Sequence, residues 1–407
     1  MKAPLLVRSL ATVGVAALAL TACGGGSSSG GSASKGPVVL GTSLSMTGPL
    51  GQFGVALNAG YEQLVADVNA GGGVSVGGAK RQLKLVVLDN RSDANTASQQ
   101  TRELVLKDGA AAILGACTPP IIIPGALAAE KEKVPFVSSC SPVNAFRGGN
   151  AAGWNYAWDL FFDEQAQAKA VATGLAQANS SKKVALFTDS EPDGVAERGL
   201  YKAAAAAAGL TVVGDYTFPV GTTDFSSLIK DARDKGAELV AGQMIPPDGI
   251  ALWKQMKSLS FTPKQAFVAK ASDGASWPGA LGPLAEGTLT EGFWSPSTGK
   301  ANSAALMGTL GTKFANSFSD LNIAVLGYTA ANVATDAIST AGSTDPAKVN
   351  TAIGKTSKDY PLGTITFDSK HTAVTPYLLM QWQGGKIVQI LPAASGVTLQ
   401  DPGKGLS

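Results

Sequence analysis

The chain carries one histidine, three cysteines and 30 carboxylates, and their spacing marks no covalent chemistry. His371 stands alone in Ser369-Lys370-His371 after the Phe367-Asp368 turn, and a lone loop imidazole is ordinarily a solvated side chain. A catalytic base needs a nucleophile or substrate proton within reach and a partner to orient it. There is no Gly-x-Ser-x-Gly elbow, no Gly-x-x-x-x-Gly-Lys phosphate loop and no Cys/His metal cluster. The acidic residues are not paired as in a glycosidase. Two polar residues hold positions that suit helix capping: Thr118, just before Pro119-Pro120, and Asp273, in Ala271-Ser272-Asp273-Gly274. The chemistry available is therefore non-covalent, and no cofactor is expected.

The beginning of the chain reads as an address. Lys2 and Arg8 are followed by a short apolar run from Ser9 to Leu20, which suits a signal-peptide core and is shorter than the roughly 20 residues of a membrane span. Leu20-Thr21-Ala22-Cys23 resembles a bacterial lipobox, which implies cleavage of residues 1–22 and lipidation of Cys23. Residues 23–36, almost wholly Gly, Ser and Ala after the cysteine, form a flexible tether. The expected location is outside the cytoplasm, on the cell membrane.

Two of the 32 basic residues, Lys2 and Arg8, lie in that leader, so the remaining chain balances its 30 acidic residues. No basic run is present, and a nucleic-acid surface would need one. What remains after residue 36 is too long for one ordinary core and comfortable for two domains. With Cys23 lipidated, Cys117 and Cys140 are left, an even number for an oxidising compartment. Both follow apolar runs, Ala111–Gly115 and Val134–Ser138, that read as adjacent parallel strands. A disulfide fits that placement, and so do two small buried thiols.

The positioning elements alternate strand and helix, the pattern of parallel α/β sheets. Strands are expected at Val38–Leu44, Leu83–Leu88, Ala111–Gly115 and Val134–Ser138. A second series runs through Lys183–Thr188, Thr211–Phe218, Glu238–Gly242, Gln265–Ala269 and Gly287–Trp294, each series interleaved with helices. Long helices around 301–319 and 323–340 follow, then strands at Gly363–Phe367, Tyr377–Gln383 and Lys386–Ile390. The expected fold is two doubly wound parallel-sheet lobes joined by three crossings, with residues 37–159 and 296–361 in one and 160–295 and 362–407 in the other. Ligands of open α/β sheets bind beyond the carboxyl ends of the strands, so the segments following each strand are the ones to watch.

In order along the chain come Gly41-Thr42-Ser43-Leu44-Ser45-Met46-Thr47-Gly48-Pro49 with Gln52-Phe53-Gly54, then Asp67-Val68-Asn69-Ala70-Gly71-Gly72 and Leu88-Asp89-Asn90. Ala112–Cys117, Thr222 with Asp224 and Phe225, and Leu362-Gly363-Thr364-Ile365-Thr366-Phe367-Asp368 follow. Together they resemble the type I periplasmic binding proteins of ABC transporters, in the leucine/isoleucine/valine-binding branch. The resemblance implies a non-enzymatic receptor that closes two lobes on a small solute, an amino acid or related small carboxylate, and passes it to a membrane permease. A ligand-sensing lipoprotein that signals to a membrane partner is the alternative it leaves open. It also implies a site. Hydroxyls and N–H groups at Cys117-Thr118 and Ser139-Cys140-Ser141 would hold a carboxylate, Thr118 foremost. Asp273 would pair with an ammonium, and Phe53 would touch the ligand side chain. Asp193 and Met244 stand where the family often has aromatic residues, and Trp277 is either a further lining residue or a surface lid. Pro142 departs from the family, because it replaces a residue with a usable N–H and proline cannot donate.

Overall fold

The computed structural model describes residues 36–401, apart from 297, 315 and 316, together with 406. The expected leader, Cys23 and nearly all of the tether lie outside the described residues.

The first lobe begins with β1 (Val38–Leu44), followed by a small hairpin of β2 (Val74–Val76) and β3 (Ala79–Arg81). β4 (Leu83–Asp89), β5 (Ala112–Leu114), β6 (Phe136–Ser138) and β7 (Ala157–Phe161) complete its early part. β1 pairs in parallel with both β4 and β5. It is covered by helices on both faces, which is why Val-Val-Leu-Gly-Thr-Ser-Leu reads as a run and not as an alternation. Helix Ala94–Leu106 starts where the Asp93 carboxylate accepts the Thr96 N–H at 2.7 Å, an N-cap that satisfies an otherwise orphaned donor. Helix Gly51–Ala70 lies tightly against the long helix Phe318–Ala341. A Cβ on Gly60 would overlap the Ala324 carbonyl, so this crossing requires glycine.

The second lobe contains β8 (Lys183–Asp189), β9 (Thr211–Phe218), β10 (Leu239–Met244), β11 (Gln265–Lys270) and β12 (Leu289–Gly292). The chain then returns to the first lobe for helices Ser303–Lys313, Phe318–Ala341 and Pro346–Ile353 and a hairpin of β13 (Ser357–Tyr360) and β14 (Gly363–Thr366). β15 (Thr372–Val374) follows, and β16 (Leu378–Gln383) and β17 (Lys386–Leu391) end the series. The two main sheets run β15-β7-β6-β5-β1-β4 and β17-β16-β12-β11-β10-β8-β9. Thus the α/β fold with two parallel-sheet lobes is present, the second carrying antiparallel β16 and β17 at its edge.

Two boundaries differ from the sequence expectation. β7 extends to Phe161, beyond 159, and β15 pairs with β7 in the first sheet, so the last crossing follows Val374 and not residue 361. The reason is local. Residues 357–366 are satisfied as an independent hairpin, which leaves the short Thr372–Val374 segment free to close the open edge of β7. No helix among the described residues is long and apolar enough to cross a membrane.

Candidate functional site

The carboxyl ends of the first lobe's strands form one wall of a cleft between the lobes. Beyond β5, Cys117 is disulfide-bonded to Cys140 beyond β6, with their Cα atoms 4.8 Å apart. Thr118, held between that bridge and the helix Pro119–Glu132, has a φ of +72°, a costly region for a β-branched residue. Its N–H donates to the Cys140 carbonyl at 3.2 Å. Its hydroxyl caps nothing and has no hydrogen-bond partner, although the residue is buried on the cleft wall. Phe53, Cys140 and Pro142 share this wall.

Other expected first-lobe contacts are corrected. The Ser139 hydroxyl donates to the Leu326 carbonyl at 3.0 Å, away from the cleft. The Ser141 hydroxyl lies 3.5 Å from the Pro142 carbonyl, and Ser141 does not line the cleft either. Asp159 is buried, and that burial pushes its carboxyl up to about 8 against the opposing Ser138 hydrogen bond. These groups serve the loop's internal structure because each buried donor needs a partner.

The second wall is acidic. Asp193 and Glu197, one turn apart on helix Pro192–Ala207, face the cleft with Asp273 and Glu291. Lys270, at the end of β11, is the one cation lining it among the described residues. Its ammonium lies 2.8 Å from both Glu191 and Asp193 and 3.9 Å from Asp189. Burial opposes this ammonium's charge, but the three carboxylates prevail and raise its pKa well above the ordinary value. Oxygens of Asp189, Glu191 and Asp193 come within 4.8 Å of one another, a spacing that would suit a metal ion. The protein's own ammonium fills that place.

The remaining carboxyl oxygens are unevenly satisfied. Asp193 uses Oδ2 for Lys270 and for the Gln243 amide at 2.9 Å, and Glu197 uses Oε2 for the Tyr201 hydroxyl at 2.9 Å. Asp193 Oδ1 and Glu197 Oε1 are buried without partners. Asp273 accepts from Thr290 at 3.0 Å and shares a hydrogen bond with Glu291, which also receives the Gln167 amide at 2.7 Å. Burial drives these acids toward their neutral forms. Asp273 is pushed up to about 6 and Asp189 up to about 7, while Glu197 and Glu291 rise well above the usual carboxylate range, with neighbouring negative charge adding to the effect.

Met244 and Trp277 are corrected. Both are fully buried in the second lobe's core, where Trp277 packs edge-on to Trp253 at 4.9 Å. Phe161, Phe162 and Phe293, which were not anticipated, line the cleft. They mark the first two crossings, and Tyr377 marks the third. Phe162 stacks on Phe293 at 5.6 Å and meets Tyr377 edge-on at 5.1 Å. Glu197 and Lys270 were readable in principle, the first as the i+4 neighbour of Asp193 and the second as the last residue of a strand leading to Asp273. The lobes touch, and little enclosed space is left between the walls. The Ser276 hydroxyl donates to Gln52 across the gap at 2.5 Å. This is a closed clamp.

A cleft buried between two α/β lobes, with polar groups convergent from strand ends, defines a binding protein for a small solute. The periplasmic binding protein family pattern matches residues 37–386, and the chain belongs to that family. It is similar to Leu/Ile/Val-binding protein homolog 3 of Brucella melitensis, 26% identical over 367 residues that cover 88% of this chain and 94% of the relative. Homolog 8 of Brucella abortus is also 26% identical, over 234 residues, and there the chain spans only 56% of the relative's length. Among solved structures it resembles the leucine-binding protein LivK of Thermotoga maritima, with a TM-score of 0.76, 24% identity and coverage of 86% of this chain and 97% of the other. A solute-binding protein of R. palustris in complex with benzoate gives a TM-score of 0.74 at 19% identity, covering 87% and 96%.

Proposed function

We propose that this chain is the extracytoplasmic solute receptor of an ABC transporter, tethered to the membrane through lipidated Cys23, and that it captures a small organic molecule by closing its lobes before docking on a permease. The observation that carries this reading is the cleft itself. Phe53, Thr118 and the Cys117–Cys140 bridge face Asp193, Glu197 and Asp273 across a gap that only lobe closure can form. A ligand touching both walls favours the closed form by its differential affinity for it. The leucine, isoleucine and valine in the relatives' names support a solute of that size. The sequence around Leu20-Thr21-Ala22-Cys23 supports the anchor.

The test is small-angle scattering on the soluble body from residue 36, freed of bound solute and then mixed with a pooled small-molecule extract. The expected result is a smaller radius of gyration together with a raised melting temperature. Superimposable profiles and an unmoved transition would refute the receptor reading.

A further inference from the structure

A disulfide that serves stability alone can lie wherever two loops meet. The Cys117–Cys140 bridge lies on the cleft wall itself, bordered there by Phe53, Thr118, Pro119, Pro142 and Phe161. Its other side backs onto the first lobe's core, of which both cysteines are members. With the lobes together each cysteine is only 6% exposed, and Asp193, Glu197, Gln243 and Asp273 of the second lobe line the facing wall. The cleft is therefore the approach to the two sulfurs, and the second lobe covers it.

Thiol–disulfide exchange needs that approach. A thiolate attacks one sulfur, the S–S bond breaks, and its electron pair leaves on the other sulfur, which takes up a proton. When the attacker is one arm of a dithiol, the second arm then displaces the mixed disulfide. Two electrons pass, so the bridge becomes two thiols and the dithiol becomes a disulfide. Buried sulfurs give an attacking thiolate no path until their cover is removed, and here the cover is a lobe that moves. The reverse step is equally well placed. The Gly115 N–H donates to the Val137 carbonyl at 2.9 Å before the bridge, and the Thr118 N–H to the Cys140 carbonyl at 3.2 Å beside it. These bonds keep the strand-end loops in register without the sulfurs. A reduced pair thus stays positioned to re-form its bond when the oxidised dithiol takes the electrons back.

We propose that Cys117–Cys140 is a thiol–disulfide exchange site gated by the lobes, reduced by a dithiol in the open receptor and shielded in the closed one. The redox state of the wall then follows occupancy, because a solute that keeps the lobes shut also keeps the reductant out. This rests on the receptor reading for the motion, and it adds a second chemistry to the same cleft.

Reduction kinetics of the intact protein test it, with dithiothreitol as the dithiol and the new thiols trapped by a maleimide and counted by mass. Two variants part the lobes. A side chain on Gly274 would overlap that of Gln52 across the gap, so Gly274→Trp is a wedge, and Gln52→Ala removes the contact with Ser276. The radius of gyration of each variant is measured beside its reduction rate. The native bridge should be reduced about a hundredfold more slowly than the same bridge in the urea-unfolded chain. A variant with an enlarged radius should be reduced about tenfold faster than the native protein. The comparison of native and unfolded chains keeps the test decisive if either variant fails to fold. A native rate equal to the unfolded one, or an opened variant no faster than the native protein, would overturn the gate while leaving the receptor reading in place. Unchanged radii in both variants would overturn it too, since a gate needs a motion that the wedge can drive. The receptor reading is then decided separately by the scattering response to the pooled extract.

Discussion

At the scale of single residues, the chain keeps several carboxyls where water cannot solvate them. Asp159 is the clearest, fully buried, with Oδ2 unpartnered and its carboxyl held up to about 8 by desolvation. Asp189 at about 7 and Asp273 at about 6 behave likewise. In the unfolded chain such groups lose their protons near pH 3.9. Between that pH and their folded values the native state holds more protons than the unfolded one, so stability falls as pH rises. The melting temperature of the ligand-free protein should therefore decline from pH 5 to pH 8 in scanning calorimetry. Asp159→Asn, a neutral isostere of the protonated acid, should make the decline shallower. A rising or flat profile in the native protein would show that these acids are ionised in the fold. His371 is unrelated to the site. It stacks on Trp158 at 3.6 Å, and burial lowers its pKa.

At the scale of elements, the first-lobe wall depends on two short strand-end loops fastened to each other. The Cys117–Cys140 bridge closes a loop with a sequence separation of 23, which by loop-closure entropy stabilises the fold by about 3 kcal/mol. It also braces the positive φ of Thr118. Replacing both cysteines by alanine should lower the denaturation free energy by about that amount in a urea titration. An unchanged midpoint would mean the bridge restrains nothing. At the hinge, Glu164 accepts the Asn144 and Ala145 N–H groups at 2.9 and 2.8 Å, tying the start of the second lobe's first helix to the first lobe. Together with the Phe162–Phe293–Tyr377 cluster, this holds the three crossings as one packed unit.

At the scale of the whole molecule, few polar groups bridge the closed mouth, and Gln52 with Ser276 is the shortest such contact. It stabilises the closed form with or without solute. Gln52→Ala should therefore shift the ligand-free population toward open lobes, seen as a larger radius of gyration, and weaken ligand binding several-fold, mainly through faster release. An identical scattering curve for the variant would mean that the hinge alone sets the closure equilibrium.

The sequence by itself determined the class of fold and the family, because both rest on local signals. Alternating apolar runs and helical stretches report parallel sheets, and the ordered segments from Gly41 to Asp368 place the chain among two-lobed receptors. The resemblance to the family also put Phe53, Thr118, Asp193 and Asp273 on one cleft, and all four line it. Tertiary structure decided what those positions do. Ser139 looks like a ligand group in a strand-end loop, yet its hydroxyl is taken by the Leu326 carbonyl, a partner distant in sequence, and Ser141 is buried away from the cleft. Met244 and Trp277 point into the core because the register of β10 and the packing of Trp253 leave them no other side. Glu197, Glu291 and Lys270 join the site through helix phase and sheet order, and the cleft's charge is their sum. Local pattern fixes which groups stand at the carboxyl ends of strands. Which of them still has an open hydrogen-bonding position depends on every neighbour that packs around it, and only the folded molecule brings those neighbours together.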